Sequence, residues 1–148
     1  MPGKATMIPP QQLIEAAKGP FIGYNDKNWD KIRTLLTSDF VYDEVANNRK
    51  AQGIDQVITL WQGWATALPD SRCTFDSAVA SGDTVVIEVT WRGTHKGPLQ
   101  TPKGPIAPTG KRIEIRACNV IRMEGEKAKS HRQYFDMATM LQQLGVTS

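Results

Sequence analysis

The sequence predicts one small α+β domain in which helices cover one face of a curved antiparallel sheet. Its N-terminal half holds three segments with apolar residues at helical spacing, whereas residues 72–136 alternate between apolar and polar side chains. Two turn signals, Ser81–Gly82–Asp83 and Glu124–Gly125–Glu126, separate the alternating runs and favour antiparallel hairpins. A length of 148 residues suits one core and one principal pocket.

Three helices are predicted before the long strands. The first runs over residues 11–24, with a kink expected at Gly19–Pro20. Asn28 is placed to cap a short second helix. The third begins after Gly53 and ends before Pro69, and its apolar residues recur at i, i+3, i+4 and i+7. We expect this third helix to cover one face of the sheet.

The remaining elements are mostly strands. A short extended segment over residues 40–45 precedes the third helix, and three long strands with one apolar face each follow it. Residues 95–111, HKGPLQTPKGPIAPTGK, are rich in Gly and Pro and are predicted to form a long loop at the pocket mouth. A last hairpin strand ends at Tyr134–Phe135, and a short helix over residues 137–144, capped by Asp136, completes the domain.

Composition excludes several classes of function. Hydrophobic residues at 40% and charged residues at 22% are typical of a globular chain. The 18 Lys and Arg against 15 Asp and Glu are spread along the sequence, so we expect no nucleic-acid partner. No apolar stretch approaches the roughly 18–20 residues of a membrane span, and the N-terminus lacks a secretory apolar region. These features predict a cytoplasmic protein, in which Cys73 and Cys118 are buried free thiols rather than disulfide partners or metal ligands.

Four segments resemble one known family when they are taken in order and spacing: YNDKNWDKIRTLLTSDFVYDEV, WRGTHKGPL, PTGKRIEI and HRQYFDMATMLQQLG. They are similar to the SnoaL-like polyketide cyclase and ketosteroid-isomerase-like branch of the nuclear-transport-factor-2-like superfamily. The resemblance covers nearly all of the chain. It implies a cone-shaped sheet wrapped around a central apolar pocket, a homodimer, and a hydrophobic small-molecule substrate handled without a cofactor.

The resemblance also implies a reaction. A carboxylate or imidazole removes a proton next to a carbonyl group, and a hydrogen-bond donor stabilises the resulting enolate. Isomerisation and aldol ring closure share this step. An apolar surrounding raises the pKa of a carboxylate, which makes that group a competent base near neutral pH.

Two residues are predicted to be catalytic. Asp43 stands where the ketosteroid isomerases keep their general base, and Glu44 is expected on the opposite face of the strand. His131 is a candidate acid, base or donor, because its ordinary pKa lies near neutrality. The alternatives are that Asp43 only ends a strand and caps a turn, and that His131 is a solvent-facing or core histidine.

Five residues are predicted to bind substrate. Asn119 interrupts an apolar row of its strand, where an amide either binds ligand or satisfies a buried neighbour. Gln133 shares a strand face with His131. Trp64 and Trp91 are placed to stack on a flat ligand. Tyr24 lies one turn beyond the place where the steroid isomerases put their oxyanion tyrosine.

The chain departs from the family at two places, which keeps several functions open. SnoaL-like cyclases and limonene-epoxide hydrolases carry an aspartate where this chain has Gln133, and an amide is no base at neutral pH. Val89 and Trp91 stand where the epoxide hydrolases need Arg and Asp, which argues against that hydrolysis. A cofactor-independent isomerase or cyclase is the leading interpretation. A non-catalytic small-molecule-binding module and an interaction domain that uses the outer sheet face are the alternatives.

Overall fold

A computed structural model describes residues 8–146 of the chain and confirms the α+β fold, with a curved six-stranded sheet. Within these residues a separate two-stranded hairpin and four helices complete the domain. The elements are α1 (Pro10–Asn25), α2 (Trp29–Thr34), β1 (Leu36–Glu44), β2 (Arg49–Gln52), α3 (Ile54–Ala67), β3 (Arg72–Ser81), β4 (Thr84–Thr94), β5 (Leu99–Thr101), β6 (Gly104–Ile106), β7 (Arg112–Glu124), β8 (Lys127–Phe135) and α4 (Met137–Gln143).

The strand order of the large sheet is β2-β1-β8-β7-β4-β3. The long strands β3, β4, β7 and β8 pair antiparallel, as their alternation and turns predict. One pairing departs from the predicted antiparallel sheet, because β1 pairs with β8 in parallel. The two strands are far apart in sequence, and no turn chemistry sets their relative direction. This pairing places β1 next to β8, so that inward-facing side chains of the two strands share the concave face of the sheet.

The strand β2 is absent from the sequence prediction. A 3-10 turn at Val45–Asn47 and Asn48 in the left-handed region, at φ 49°, fold the chain back after β1. Asn tolerates this conformation better than most residues because its short side chain bonds locally. The short strand that follows pairs antiparallel with β1.

Helix boundaries follow local capping chemistry. The side chain of Asn28 accepts a hydrogen bond from the backbone N–H of Lys31 at the start of α2, as predicted. The helix ends at Thr34, because β1 already begins at Leu36. Asp136 caps α4 by accepting from the backbone N–H and the hydroxyl of Thr139. None of the helices within residues 8–146 is long and apolar enough to cross a membrane.

The Gly- and Pro-rich segment is not a plain loop, because residues within it form the β5–β6 hairpin. Leu99 is 2% exposed and packs with α3, α4 and β7 residues in a second apolar cluster. Gly97 permits this packing, since a Cβ there would lie 2.2 Å from the carbonyl oxygen of Thr66. The hairpin and α4 together pack at one end of the main sheet.

The main core lies between the concave face of the sheet and the helices α1 and α3. On β4, the inward-facing Val85, Ile87 and Val89 are completely buried, whereas the outward residues of this strand are partly or fully exposed apart from Thr90. Ala17 of α1 and Val57 of α3 are completely buried in the same cluster. The period-two alternation seen in the sequence therefore corresponds to one buried and one outer face of the sheet.

Candidate active site

An apolar cavity lies between the concave face of the sheet and the helices α1 and α3. Its polar lining is small and comes from the side chains of Ser71, His131 and Gln133 and the hydroxyls of two tyrosines. Its walls are largely aromatic and are formed by Phe21, Tyr24, Tyr42, Trp61, Trp64, Trp91 and Phe135. Flat, rigid walls with few polar groups suit a flat apolar ligand that carries few oxygens.

The protonation of His131 follows from its hydrogen-bond partners. The amide nitrogen of Asn119 donates to the carbonyl oxygen of Ile87 at 3.0 Å, which leaves Asn119 Oδ1 as an acceptor. His131 Nε2 lies 2.7 Å from this Oδ1, so Nε2 carries the proton. In the neutral ring the lone pair is therefore on Nδ1, and Nδ1 has no hydrogen-bond partner among residues 8–146.

Burial keeps the His131 ring neutral. The side chain is 6% exposed and is surrounded by aromatic rings, with centroid distances of 5.4 Å to Phe21, 5.1 Å to Tyr42 and 6.3 Å to Trp61. Desolvation lowers the pKa of His131 from its ordinary 6.5 to about 3. A neutral imidazole with a lone pair at an apolar cavity wall can accept a proton from a ligand.

The low pKa of His131 predicts a pH dependence of stability. The unfolded chain binds a proton here below about pH 6.5, whereas the folded chain does not until about pH 3, so stability falls as pH falls through that window. Between about pH 7 and about pH 4.5 the loss from this group is about 2–3 kcal/mol. Urea unfolding of the wild type and of His131→Gln at both pH values measures it. If the free energy of unfolding fell by the same amount between the two pH values in both proteins, that result would contradict a neutral buried ring.

Gln133 and Tyr42 continue the polar contacts from β8 to β1. Gln133 Nε2 donates to Asn119 Oδ1 at 2.9 Å, so its Oε1 is free to accept from the Tyr42 hydroxyl at 3.1 Å. The same hydroxyl lies 3.1 Å from an oxygen of Glu44. Burial, and next to it the negative charge of Glu44, raise the pKa of Tyr42 well above its ordinary value. The Tyr42 phenol therefore keeps its proton and acts as a donor.

Glu44 is a fully buried carboxylate with hydrogen-bond donors at both of its oxygens. Its Oε2 accepts from the indole N–H of Trp64 at 2.7 Å and shares the single proton of the Tyr42 hydroxyl with Gln133. Its Oε1 accepts from Asn47 at 2.7 Å and from the guanidinium of Arg49 at 3.0 and 2.7 Å. Glu44 does not line the cavity, but it fixes two aromatic side chains that do.

The structure reverses the expected orientation of Asp43 and Glu44. Asp43 pairs with Lys50 and Arg132 across the strands, and both of these are exposed residues on the outer face of the sheet. The prediction that Asp43 faces the pocket is therefore wrong. The burial of Tyr42 sets the alternation of β1, and this places Glu44 inward and Asp43 outward.

A second polar point lies at the α1 side of the cavity. The hydroxyls of Tyr24 and Ser71 are 2.6 Å apart, and both residues line the cavity. Burial raises the pKa of Tyr24 to about 12, so both groups are protonated at neutral pH. One proton lies between the two oxygens, and the other O–H is available to a ligand oxygen.

The structure thus brings most of the predicted site residues to one cavity. Tyr24, Trp64, Trp91, His131 and Gln133 line it, whereas Asn119 lies behind His131 and orients the ring. Sequence reasoning missed Tyr42, Ser71 and Glu44. The alternation of β1 contained the signal for Tyr42 and Glu44. Within residues 8–146 no group of three or more His, Cys, Asp or Glu side chains is arranged to hold a metal ion.

Comparisons with known proteins agree with this fold. The family model of the SnoaL-like polyketide cyclases matches residues 21–144. The sequence matches no curated protein.

Several solved structures have the same fold. One is a protein of Jannaschia sp. CCS1 assigned as a SnoaL-like polyketide cyclase, which is 18% identical in sequence and has a TM-score of 0.81. The match covers 94% of this chain and 95% of that chain. An assigned polyketide cyclase of Streptomyces antibioticus has 24% identity, 91% and 99% coverage and a TM-score of 0.77. An epoxide hydrolase of M. tuberculosis has 19% identity, 91% and 90% coverage and a TM-score of 0.71.

Proposed function

The chain belongs to the SnoaL-like polyketide cyclase family, and we propose that it is a cofactor-independent cyclase or isomerase that removes a proton next to a carbonyl group. The substrate we propose is hydrophobic and contains fused or aromatic rings. The observation that carries the proposal is the neutral His131 ring at the wall of an aromatic cavity, with its lone pair on Nδ1.

His131 is the proposed base, in place of Asp43. The C–H proton moves to Nδ1, the C–H electron pair forms a C=C bond, and the carbonyl oxygen becomes an enolate oxygen. A pKa of about 3 describes the ring without substrate. The enolate charge that develops beside the ring favours the imidazolium, because attraction between charges is strong in an apolar cavity. Asn119 Oδ1, already bonded to Nε2, stabilises the positive ring as it forms.

The hydroxyl pair of Tyr24 and Ser71 is the proposed donor to the enolate oxygen. Its free O–H supplies one hydrogen bond, and the phenol of Tyr24 remains protonated at neutral pH. Trp91 packs edge-on against Tyr24, with ring centroids 5.1 Å apart, and adds an aromatic wall beside the pair. Reprotonation at another carbon gives isomerisation, and attack of the enolate carbon on a second carbonyl gives ring closure.

Exchange of carbon-bound protons tests this function without the natural substrate. The probe is 2-tetralone in deuterated buffer, and the loss of its α-proton signals is followed by proton NMR. We expect the protein to accelerate exchange over buffer in a saturable way, and 2-naphthol, a planar mimic of the enol, to inhibit it. Binding of 2-tetralone without any acceleration would contradict the proposal.

A non-catalytic binding module is the second candidate. Two observations favour it: Gln133 stands in the cavity as an amide, which is no base, and burial makes His131 weakly basic. This alternative expects 2-naphthol to quench tryptophan fluorescence while 2-tetralone exchanges at the buffer rate. The two experiments together separate catalysis from binding.

Homodimerisation and a cytoplasmic location stay predictions of the sequence. Sedimentation of the purified chain tests the first, and fractionation of the cells that produce it tests the second.

A further inference from the structure

Lys27 lies directly behind the hydroxyl pair at the α1 side of the cavity. It follows the last turn of α1 with φ at 54°, a conformation uncommon for a residue with a side chain. Its backbone N–H bonds to the carbonyl of Tyr24 at 2.9 Å. Its Nζ lies 4.4 Å from the centroid of the Tyr24 ring and donates to the carbonyl oxygen of Ser71 at 2.5 Å. The ammonium therefore contacts the ring of Tyr24 and the backbone of Ser71, the two residues whose hydroxyls form the pair.

The charge of Lys27 is not neutralised by an ion pair. Among residues 8–146 no carboxylate lies within 4.0 Å of its Nζ. Asp26 and Asp70 are the acidic groups that act on it, and the carboxylate of Asp70 accepts from the N–H and hydroxyl of Thr94 at 2.7 and 2.8 Å. Burial, and next to it the positive charge of Arg72, lower the pKa of Lys27.

A helix-capping role at the end of α1 does not account for this placement. A cation that caps a helix binds the last carbonyls of that helix. The Nζ of Lys27 instead binds the carbonyl of Ser71, which belongs to the turn between α3 and β3, and lies over the face of the Tyr24 ring. The side chain thus places a positive charge without an ion-pair partner next to Tyr24 and Ser71, the two residues whose hydroxyls line this end of the cavity.

We propose that Lys27 makes the Tyr24–Ser71 end of the cavity selective for a ligand oxygen that carries negative charge. The ligand class is then planar aromatic enolates and phenolates, in preference to the corresponding neutral ethers. This inference rests on the proposed function, because it names the charge state that the same site binds. Lys27 does not line the cavity and acts through Tyr24 and Ser71, so it is a positioning residue.

The attraction is strong enough to measure. Lys27 is only partly buried, so water screens its charge in part, and we expect this charge to change the ratio of anion to neutral ligand by about tenfold. The free O–H of the hydroxyl pair gives the oxygen its position, and the ammonium gives the site its preference for an anion. A neutral ligand of the same shape gains the aromatic contacts alone.

Two naphthalene probes test the proposal on the intact protein. The absorbance of 2-naphthol distinguishes its neutral and ionised forms, whereas 2-methoxynaphthalene has nearly the same shape and cannot ionise. We expect Lys27→Gln to raise the apparent pKa of bound 2-naphthol by about one unit, a tenfold loss of anion preference. The affinity for 2-methoxynaphthalene should be the same in both proteins, and Lys27→Arg should retain most of the anion preference.

An unchanged pKa of bound 2-naphthol in Lys27→Gln would overturn the proposal. Equal weakening of both probes would also overturn it, because that result indicates a packing role. Failure of the wild type to bind 2-naphthol would do the same. None of these measurements depends on turnover. Anion preference without α-proton exchange would support the role of Lys27 and contradict the catalytic function. Exchange of α-protons without anion preference would support the catalytic function and contradict the role of Lys27.

Discussion

Replacement of His131 by glutamine is expected to slow the α-proton exchange of 2-tetralone at least about a hundredfold. Glutamine has similar bulk and retains an amide N–H for Asn119 Oδ1, but it cannot accept a proton at neutral pH. The reaction therefore loses its base while the cavity wall keeps its shape. Exchange is measured by proton NMR under saturating 2-tetralone.

Two controls make this result specific. Asp43→Asn removes a carboxylate from the outer face of β1, and we expect its exchange rate to equal that of the wild type. The affinity of His131→Gln for 2-methoxynaphthalene should also be unchanged, which shows that the cavity has formed. If His131→Gln exchanged at the wild-type rate, or if Asp43→Asn were the inactive variant, the assignment of the base would be wrong.

Replacement of Glu44 by alanine is expected to destabilise the fold by about 3–5 kcal/mol. Glu44 is completely buried, and its removal leaves the indole N–H of Trp64, the amide of Asn47 and the guanidinium of Arg49 without their acceptor. Alanine also leaves a cavity behind two aromatic side chains. Urea unfolding, followed by tryptophan fluorescence, measures the loss.

Glu44→Gln and Glu15→Ala are the matched controls for this prediction. Glu44→Gln keeps the shape and one acceptor oxygen, so its loss should be smaller than that of alanine. Glu15 forms an exposed pair with Lys18, and its replacement should leave the midpoint of unfolding unchanged. A midpoint for Glu44→Ala as close to the wild type as that of Glu15→Ala would show that the buried carboxylate does not stabilise the fold.

Local chemistry explains which parts of the fold were predictable. Alternation identified the long strands, and the caps at Asn28 and Asp136 identified two helix starts, because each depends on neighbours in sequence. The parallel pairing of β1 with β8 and the β5–β6 hairpin depend on contacts between distant segments. The packing of Gly97 against Thr66 is one such contact, and the composition of the loop does not reveal it.

For the site, too, features set by neighbours in sequence were predictable, whereas features set by contacts between distant segments were not. Alternation along β8 placed His131 and Gln133 on one face, and both line the cavity. On β1 the family position favours Asp43, whereas the alternation with Tyr42 indicates that Glu44 faces inward, as the structure has it. Ser71 had no signal of its own in the sequence. It reaches Tyr24 only because the turn after α3 packs on α1.

The protonation state of His131 is the most direct test of the whole account. Nitrogen-15 NMR of the imidazole rings distinguishes the two neutral tautomers from the imidazolium, and the chain has only 2 histidines, so a His95→Gln sample assigns the signals. We predict that His131 is neutral at about pH 7 and remains so to about pH 5, with the proton on Nε2. A proton on Nδ1, or a charged ring at about pH 7, would leave the cavity without a base and contradict the account.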